Sequence, residues 1–268
     1  MKKIISRIIG QENINKIKDI IIDKLITPRK YEALTRAKFG YYMEKLACNY
    51  NNSFCFELDF IKAYQKAMKI DPSPNWPEIK GTDQLGYWVL YTALFFAKRA
   101  MKIDGNFIEF GTYKGRHAAA ILEYVGWSNL TPKKFYLLDT FYGLDRKFAE
   151  KDEFDSYVSA YKDYSLESVS IHFNDYGNVK LIPGPVPDTL VEIPEGRFSF
   201  AHIDMNSAYP ESKAFEYIYP RMATGGSILF DDYAQIGHEA QKISLDRMAE
   251  SFGEKIFSLP TGQGILIK

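Results

Sequence analysis

The chain has 268 residues, of which 46% are hydrophobic and 25% charged, and its basic residues balance its acidic ones to a net charge of zero. Such a length and composition predict a globular protein with one main domain and a full hydrophobic core. A zero net charge provides no overall attraction to nucleic acid or to an anionic surface, so we expect no nucleic-acid partner.

Residues 1–80 are predicted to form a helical extension. Apolar residues recur at helical spacing from Ile14 to Leu25, and Pro28 ends this helix. We expect the helix to pack on the main domain as part of a lid, or on a second subunit of a homo-oligomer. Because basic residues flank the isoleucines, an amphipathic helix at a membrane surface is the alternative.

The cysteines and the amino-terminal residues indicate a cellular compartment. Cys48 and Cys55 are interpreted as thiols in a reducing cytoplasm, and a disulfide or a soft-metal site is the alternative. The first ten residues are too short and too interrupted for a signal peptide. No apolar run approaches the ~20 residues of a membrane span. We therefore expect a cytoplasmic protein without a transmembrane segment.

The main domain is predicted to span residues 81–268, after a boundary rich in turn-forming residues at Asp71–Pro77. A helix is expected over 84–101, and short apolar strands then alternate with stretches long enough for helices. The predicted strands are 107–110, 134–139, 179–182, 198–204 and 227–231, followed by a closing hairpin at 255–260 and 262–267. This alternation predicts an α/β fold with a doubly wound, mostly parallel sheet, in which ligands collect at the carboxyl ends of the strands.

The first of these strands runs into the glycine-containing segment Glu109–Gly115, before a helix that begins near Arg116. Glycines let the backbone pass close to a ligand, and the helix behind them presents free N–H groups. The spacing is not the GxGxxG fingerprint of dinucleotide-binding proteins, and a plain strand-to-helix turn is the alternative. The carboxylate of Glu109 suits a cationic or hydroxyl-bearing ligand better than a pyrophosphate.

Acidic residues also end three later strands. Asp139 follows the second strand, where a carboxylate either accepts the hydroxyls of a ribose or caps a helix. Asp204, Asp231 and Asp232 follow the fourth and fifth strands, which we expect to be neighbours. Crowded carboxylates repel one another unless a cation such as Mg²⁺, Mn²⁺ or Ca²⁺ lies among them. The alternative is that one member of the Asp231–Asp232 pair caps a helix while the other faces water.

The four histidines give weaker signals. His117 and His172 are interpreted as ordinary residues on helices, and His202 as a satisfied core histidine within an apolar strand. His238 follows the Asp231–Asp232 turn and faces the site in one interpretation. The sequence has no HExxH, P-loop or GxSxG motif.

Several motifs in order resemble the class I methyltransferases, and among them the macrocin-type O-methyltransferases that act on sugars of macrolides and related natural products. The resemblance runs from Gly81 to Lys268. Its most specific parts are Phe107–Gly115, Leu138–Leu144, Gly184–Leu190 and a final block from His202 to Tyr233.

The resemblance implies a Rossmann-like, seven-stranded sheet that binds S-adenosylmethionine over the first two strand ends. The residues implied to bind this cofactor are Glu109, Gly111, Thr112, Gly115, Asp139 and Thr140. The implied ligands of Mg²⁺ or another divalent cation are Asp204, Asp231 and Asp232. The family usually has a second aspartate where this chain has Asn206, which puts cation affinity and acceptor choice in question.

The expected reaction is methylation of a hydroxyl on a sugar or related small molecule. Asp204 is our choice for the general base, with His238 in reserve. A methyltransferase that needs no metal and a non-catalytic protein that binds S-adenosylmethionine are the alternatives. A nicotinamide oxidoreductase is a third, and the missing third glycine counts against it.

Overall fold

The computed structural model describes the residues in the ranges 41–43, 46–48, 54, 57–71, 87–158, 161 and 163–268, the first two by their backbone alone. The helix predicted at Ile14–Leu25, Cys55 and residues 72–77 of the predicted boundary lie outside these residues. The chain forms two compact units, residues 1–53 with 74–87 and residues 54–73 with 88–268. In the first unit, β1 (Tyr41–Met43) pairs antiparallel with β2 (Leu46–Cys48).

The second unit contains a seven-stranded sheet. Its strands are β3 (Asn106–Phe110), β4 (Phe135–Asp139), β5 (Val179–Pro183), β6 (Phe198–Ile203), β7 (Met222–Phe230), β8 (Phe257–Ser258) and β9 (Gly264–Ile267). Their spatial order is β5-β4-β3-β6-β7-β9-β8, and β8 and β9 pair antiparallel while the other five strands are parallel. The predicted α/β fold with a mostly parallel seven-stranded sheet is confirmed. The strand β7 begins at Met222, five positions before the predicted start at 227. The polar and glycine residues Thr224-Gly225-Gly226 interrupt the apolar run, so hydropathy does not indicate a strand there.

Seven helices are described. They are α1 (Leu58–Ile70), α2 (Tyr87–Ala100), α3 (Arg116–Val125), α4 (Lys151–Tyr157), α5 (Leu166–Ser170), α6 (Ala208–Ile218) and α7 (Glu239–Ser251). None of these described helices is long and apolar enough to cross a membrane. His172 lies in the turn after α5 instead of on a helix, because the helix ends at Ser170.

Apolar side chains pack on both faces of the sheet. On β7, Phe230 lies against Phe215 of α6 with ring centroids 5.0 Å apart, and the adjacent residue Leu229 packs on Ala93 of α2 on the opposite face. Successive side chains of a strand point to opposite faces, so a strand covered on both sides is apolar throughout. Every residue of β6 is buried for this reason.

The strand order places a crevice between β3 and β6. From β3 the chain proceeds outward to β4 and β5, then crosses back to β6 and β7 on the other side. The loops after β3 and β6 therefore leave the sheet in opposite directions at its carboxyl edge. Ligands of doubly wound sheets bind at this switch point.

Candidate active site

The loop after β3 turns tightly against the end of β6. The Gly111 N–H donates to the carbonyl of Leu138 on one side, and the Asp204 N–H donates to the carbonyl of Phe110 on the other, each over 2.8 Å. Gly111 and Gly115 both have φ of +86°, in the left-handed region that favours glycine. Gly115 is the N-cap residue of α3. The predicted glycine loop thus lies at the switch point of the sheet.

Packing within the protein also requires both glycines. A Cβ at Gly111 would lie 1.7 Å from the carbonyl oxygen of Asp204, and one at Gly115 would lie 2.7 Å from the ring of Phe173. Sequence reasoning attributed these glycines to close approach of a ligand. The structure shows that they are needed for close approach of the chain to itself.

Three polar residues on adjacent strands form a hydrogen-bonded row. The parallel register pairs Glu109 with His202 and His202 with Leu229, and Asp231 follows two residues after Leu229 on the same face. His202 Nδ1 is 3.0 Å from Glu109 Oε1, and His202 Nε2 is 3.4 Å from Asp231 Oδ1. Glu109 and His202 are buried. His202 is a satisfied core histidine, as predicted, but both of its partners are predicted site residues.

The environment of this row shifts the pKa values of its members. Burial raises the pKa of Glu109, and the hydrogen bond from His202 opposes this effect. Burial acts to lower the pKa of His202, but the two carboxylates outweigh burial and raise it well above its ordinary value. His117 on α3 contacts the His202 ring edge-on at 5.1 Å, and burial together with the charge of His202 lowers its pKa to about 3. The raised pKa of His202 favours an imidazolium between the two carboxyl groups of the row.

Glu109 also has an oxygen without a well-formed hydrogen bond, and the Thr112 hydroxyl lies near enough to the carboxylate to lower its pKa. Its Oε2 atom and the hydroxyl of Thr112 are buried and make no hydrogen bond within the described part of the chain. A buried polar atom without a partner costs free energy, so these atoms suit a ligand that carries N–H donors. The amino group of S-adenosylmethionine fits this requirement.

Asp139 organises the loops after β3 and β4. Its Oδ2 accepts the N–H of Tyr113 over 2.7 Å, and its Oδ1 accepts the N–H of Phe141 over 2.6 Å and the hydroxyl of Tyr164 over 3.0 Å. The alternative role as a helix cap is wrong, because the next helix begins only at Lys151. A carboxylate has about four acceptor sites, so Oδ2 retains capacity for a ribose hydroxyl.

Thr140, also predicted to bind the cofactor, uses its hydroxyl within the turn. It donates to the carbonyl of Gly143 over 2.5 Å. Phe141 in the same turn has φ of +60°, and Tyr113 and Asn206 also have positive φ, after β3 and β6 respectively. Non-glycine residues in this region are uncommon and concentrate at functional sites. The structure thus places strained backbone after β3 and β6, which border the crevice, and after the neighbouring strand β4.

Two of the three aspartates predicted to hold a cation, Asp204 and Asp231, lie close together beside His202 at the ends of β6 and β7. Ligand atoms of His202, Asp204 and Asp231 all lie within 4.8 Å of one another. Asp231 and Asp232 are partly buried, with side chains 13% and 12% exposed. Neither aspartate caps a helix, because α7 begins at Glu239 with His238 as its N-cap residue. That alternative is wrong.

The carboxylates of this cluster repel one another. Burial raises the pKa of Asp204 well above its usual range, and the charge of Asp231 raises it further. Burial and the charges of Asp204 and Asp231 do the same for Asp232. Burial would also raise the pKa of Asp231, but the hydrogen bonds from His202 and Gln263 and the charges of His117 and His202 together outweigh burial and lower the pKa. A divalent cation among these oxygens would relieve the repulsion, and their chemistry suits magnesium.

Glu153, Tyr157 and Tyr161 lie against this cluster, within the aromatic-rich segment Phe148 to Tyr176 for which the sequence predicts either a mobile lid over the acceptor or simple packing. The hydroxyl of Tyr157 is 2.9 Å from His238 Nε2, and Tyr161 accepts a hydrogen bond from the Asn206 side chain over 3.0 Å. Glu153 accepts hydrogen bonds from the hydroxyl of Ser207 and the N–H of Ala208, at 2.6 and 2.9 Å. The spacing of Glu153, Tyr157 and Tyr161, four residues apart, was the available signal.

His238 faces the site, as one interpretation of the sequence proposed. Its Nδ1 atom lies 3.8 Å from Asp232 Oδ2, and this nitrogen is buried without a hydrogen bond within the described residues. Asn206 donates to Asp204 Oδ1 over 3.2 Å through its side-chain amide. In place of a second carboxylate, Asn206 therefore supplies a donor that holds Asp204.

Glu211 makes the stability of the protein depend on pH. It is buried, and burial raises its pKa from 4.5 to about 7 although it accepts hydrogen bonds from Gln241 and from the N–H of Met205. The folded protein therefore holds a proton that the unfolded chain releases, and the free energy of unfolding falls as the pH rises between these values.

Glu211→Gln is expected to reduce this slope by the contribution of Glu211 and to stabilise the protein by about 1–3 kcal/mol near pH 8, because its amide oxygen can accept the same hydrogen bonds. Urea denaturation in EDTA at several pH values measures the effect. The matched control is Glu216→Gln, on the same helix with a side chain 50% exposed. Equal pH slopes for wild type and Glu211→Gln would contradict the prediction.

Comparison with known proteins identifies the family. Residues 95–259 match the family model described as macrocin-O-methyltransferase (TylF), over more than half of the chain. The chain belongs to the macrocin-O-methyltransferase (TylF) family. The predicted resemblance to macrocin-type O-methyltransferases is confirmed, and the matched residues include every site residue discussed above.

One curated relative from Streptomyces olivaceus is an 8-demethyl-8-(2,3-dimethoxy-alpha-L-rhamnosyl)-tetracenomycin-C 4'-O-methyltransferase. It is 26% identical over 176 residues, which cover 60% of this chain and 65% of the relative. The chain thus matches somewhat less than two thirds of the length of this relative.

Solved structures agree on the fold of this macrocin-O-methyltransferase family member. The O-methyltransferase NovP is similar with a TM-score of 0.65 and 16% identity, over 81% of this chain and 99% of NovP. The calicheamicin methyltransferase CalS11 is similar with a TM-score of 0.54 and 17% identity, over 79% of this chain and 93% of CalS11. The apo structure of CalS11 is described as a TDP-rhamnose 3'-O-methyltransferase.

Proposed function

We propose that the chain is an S-adenosylmethionine-dependent O-methyltransferase that methylates a hydroxyl of a sugar or sugar-linked small molecule with the help of a divalent cation. One observation carries the proposal: the carboxylates of Asp204 and Asp231, which lie close together beside His202, adjoin the glycine loop at the switch point of the sheet. Family membership supports methyl transfer to oxygen. The rhamnosyl substrate in the name of the relative supports a sugar hydroxyl as the acceptor.

The residues after β3 and β4 would hold the cofactor. Glu109 Oε2 and the Thr112 hydroxyl are buried acceptors for its amino group, and Asp139 Oδ2 has capacity for a ribose hydroxyl. The amino end of α3 directly follows Gly115, and the amino end of a helix favours anionic groups such as the carboxylate of the cofactor. When bound, S-adenosylmethionine would supply an electrophilic methyl group.

The residues after β6 and β7 would hold the acceptor oxygen. An alcohol is a poor nucleophile until its proton is removed, and Asp204 is the proposed general base. Asn206 fixes the Asp204 side chain through its amide, and Gln263 fixes Asp231 by donating to Oδ1 over 2.9 Å. A divalent cation at Asp204, Asp231 and Asp232 would lower the pKa of the acceptor hydroxyl and orient its oxygen. His238 is the reserve base.

Calorimetric titration and an activity assay test the proposal together. We expect S-adenosylmethionine to bind to the full chain, and S-adenosylhomocysteine to form with acceptors that carry rhamnose, either nucleotide-linked or attached to a polyketide. EDTA is expected to lower turnover at least about 100-fold, and excess Mg²⁺ to restore it, because the cation stabilises charge on the acceptor oxygen.

The possible outcomes separate the alternatives. Turnover that EDTA leaves unchanged would indicate a methyltransferase that needs no metal. Binding of S-adenosylmethionine without S-adenosylhomocysteine formation on any acceptor would indicate a non-catalytic binding protein. Absence of cofactor binding in the folded protein would overturn the proposal altogether.

A further inference from the structure

His202 connects the two halves of the proposed site. Its ring contacts Glu109 through Nδ1 at 3.0 Å and Asp231 through Nε2 at 3.4 Å. Glu109 is the proposed partner of the cofactor's amino group, and Asp231 is a proposed cation ligand. One rigid imidazole ring thus contacts a carboxylate from each binding site.

We infer that His202 couples these sites, so that a divalent cation at Asp231 strengthens binding of the adenosyl cofactor at Glu109, and the cofactor strengthens binding of the cation. The inference rests on the proposed function, since it needs both ligands. Such coupling is reciprocal by thermodynamic necessity, and it commonly changes affinity between about 5- and 150-fold. His202 is a positioning residue in this account, because it acts through the two carboxylates.

The packing around the ring explains how the coupling is transmitted. His202 is wholly buried in β6 between β3 and β7, and the ring of His117 contacts it edge-on. A ring confined in this way cannot reorient to follow one carboxylate without moving relative to the other. Because the ring can shift only together with both carboxylates, a cation that orders Asp231 also restricts Glu109.

The affinity for the cofactor depends on how well the Glu109 side chain is ordered before the cofactor binds. One of its oxygens is held by His202, while Oε2 is buried without a hydrogen bond among the described residues. Binding to a site that is already ordered avoids the entropic cost of ordering it, so the affinity rises. The same argument, applied in the other direction, predicts tighter cation binding in the presence of cofactor.

A purely structural role of His202 is the competing explanation. An imidazolium between two buried carboxylates compensates their charges, and its loss destabilises the fold whether or not the sites communicate. Stability measurements alone cannot separate these roles. The dependence of one ligand's affinity on the other ligand does, because compensation of charge by itself requires no such dependence.

The experiment measures the Kd of S-adenosylhomocysteine by calorimetry, with and without saturating Mg²⁺. This probe is chosen because its sulfur is uncharged, which limits direct repulsion by the cation. For the wild type we expect Mg²⁺ to lower the Kd at least about 5-fold. His202→Asn retains a donor near the Nδ1 position and His202→Gln retains one near the Nε2 position, so each keeps one contact. Both variants are expected to bring the ratio of Kd values close to one.

Gln263→Met is the matched control. Gln263 donates to the same oxygen of Asp231 over 2.9 Å but makes no hydrogen bond to Glu109. We expect this variant to bind Mg²⁺ more weakly, yet to keep the effect of saturating Mg²⁺ on the Kd of S-adenosylhomocysteine. Loss of the effect in this control would show that any disturbance of Asp231 abolishes coupling, and would overturn the role assigned to His202.

A measurement on the wild type serves if the His202 variants fail to fold. The chain has four histidines, so nuclear magnetic resonance of ¹⁵N-histidine-labelled protein resolves the His202 ring. Its signals are expected to shift with Mg²⁺ alone and with S-adenosylhomocysteine alone. A ring that responds to only one ligand, or an affinity ratio unchanged in both His202 variants, would overturn the inference. Failure of the wild type to bind either ligand would instead overturn the proposed function.

Discussion

Asp204→Asn is expected to lower kcat for methyl transfer by about 10²- to 10⁴-fold, the usual contribution of a general base. The substitution removes the base and one charge from the acidic cluster while keeping the size of the side chain. The new amide oxygen can still accept the hydrogen bond that Asn206 now donates to Oδ1 over 3.2 Å. Folding should therefore be preserved, because the neutral amide avoids the burial and repulsion that raise the pKa of Asp204 in the metal-free protein.

The measurement is S-adenosylhomocysteine release under saturating acceptor and Mg²⁺. Glu216→Gln serves as the control, because Glu216 follows on α6 and pairs with Lys213 at the surface. We expect wild-type turnover from this control. If Asp204→Asn retained full turnover with Mg²⁺ present, Asp204 would not be the base, and His238 would be tested next.

Gly111→Ala is expected to destabilise the fold by more than about 3 kcal/mol, the range of severe backbone and overpacking effects. The new Cβ would lie 1.7 Å from the carbonyl oxygen of Asp204 and 2.5 Å from its carbonyl carbon. These are backbone atoms, so the clash can be relieved only by separating the loop after β3 from the end of β6. Binding of S-adenosylmethionine and of Mg²⁺ should both be lost with that contact.

Gly126→Ala is the control that measures the free-energy cost of an alanine at positive φ without a steric clash. Gly126 ends α3 with φ of +69°, and a Cβ there would meet nothing within 4 Å. An alanine in the left-handed region costs about 1–2 kcal/mol by itself. Urea denaturation compares the two variants. Equal losses of unfolding free energy would show that conformation alone requires glycine at position 111, and would contradict the proposed close approach.

The strand endings explain how much of the site could be predicted. Glu109, Asp139 and Asp204 each close or follow an apolar strand, and parallel strands place such residues along one edge whatever their order in the sheet. That rule brought Asp204 and Asp231 together in the prediction, and the structure confirms their proximity. The two incorrect alternatives, helix caps at Asp139 and at the Asp231–Asp232 pair, assumed helices that begin much further along the chain.

The role of His202 was not predicted because it depends on register. The sequence places a histidine in an apolar strand, where it is usually a satisfied core residue. Only the pairing of β3, β6 and β7 shows that Glu109 lies on one side of the ring and Asp231 on the other. A shift of either pairing by one residue would turn that carboxylate to the opposite face of the sheet.

The contacts of Tyr157, Tyr161 and Tyr164 could not be predicted from the sequence for a related reason. In the sequence these tyrosines belong to the aromatic-rich segment Phe148 to Tyr176, for which a mobile lid over the acceptor and simple packing are both open interpretations. Their hydroxyls contact His238, Asn206 and Asp139, which are between 25 and 81 positions away in sequence. Contacts across such separations are decided by how the loops fold over the sheet, which local propensity does not encode.

The sequence by itself determined the parallel sheet, the glycine loop and the edge at which acidic residues collect. Periodicity and strand endings are local properties, and they specify these features before any long-range contact forms. Tertiary structure decided that Glu109 and Asp231 contact the His202 ring, and that Glu109 Oε2 is buried without a hydrogen bond among the described residues. It also decided that Gly111 is required by the backbone of Asp204, and that His202 contacts both halves of the site. These features depend on register and close packing between strands distant in sequence, where a change of one residue or a single methyl group alters the contact.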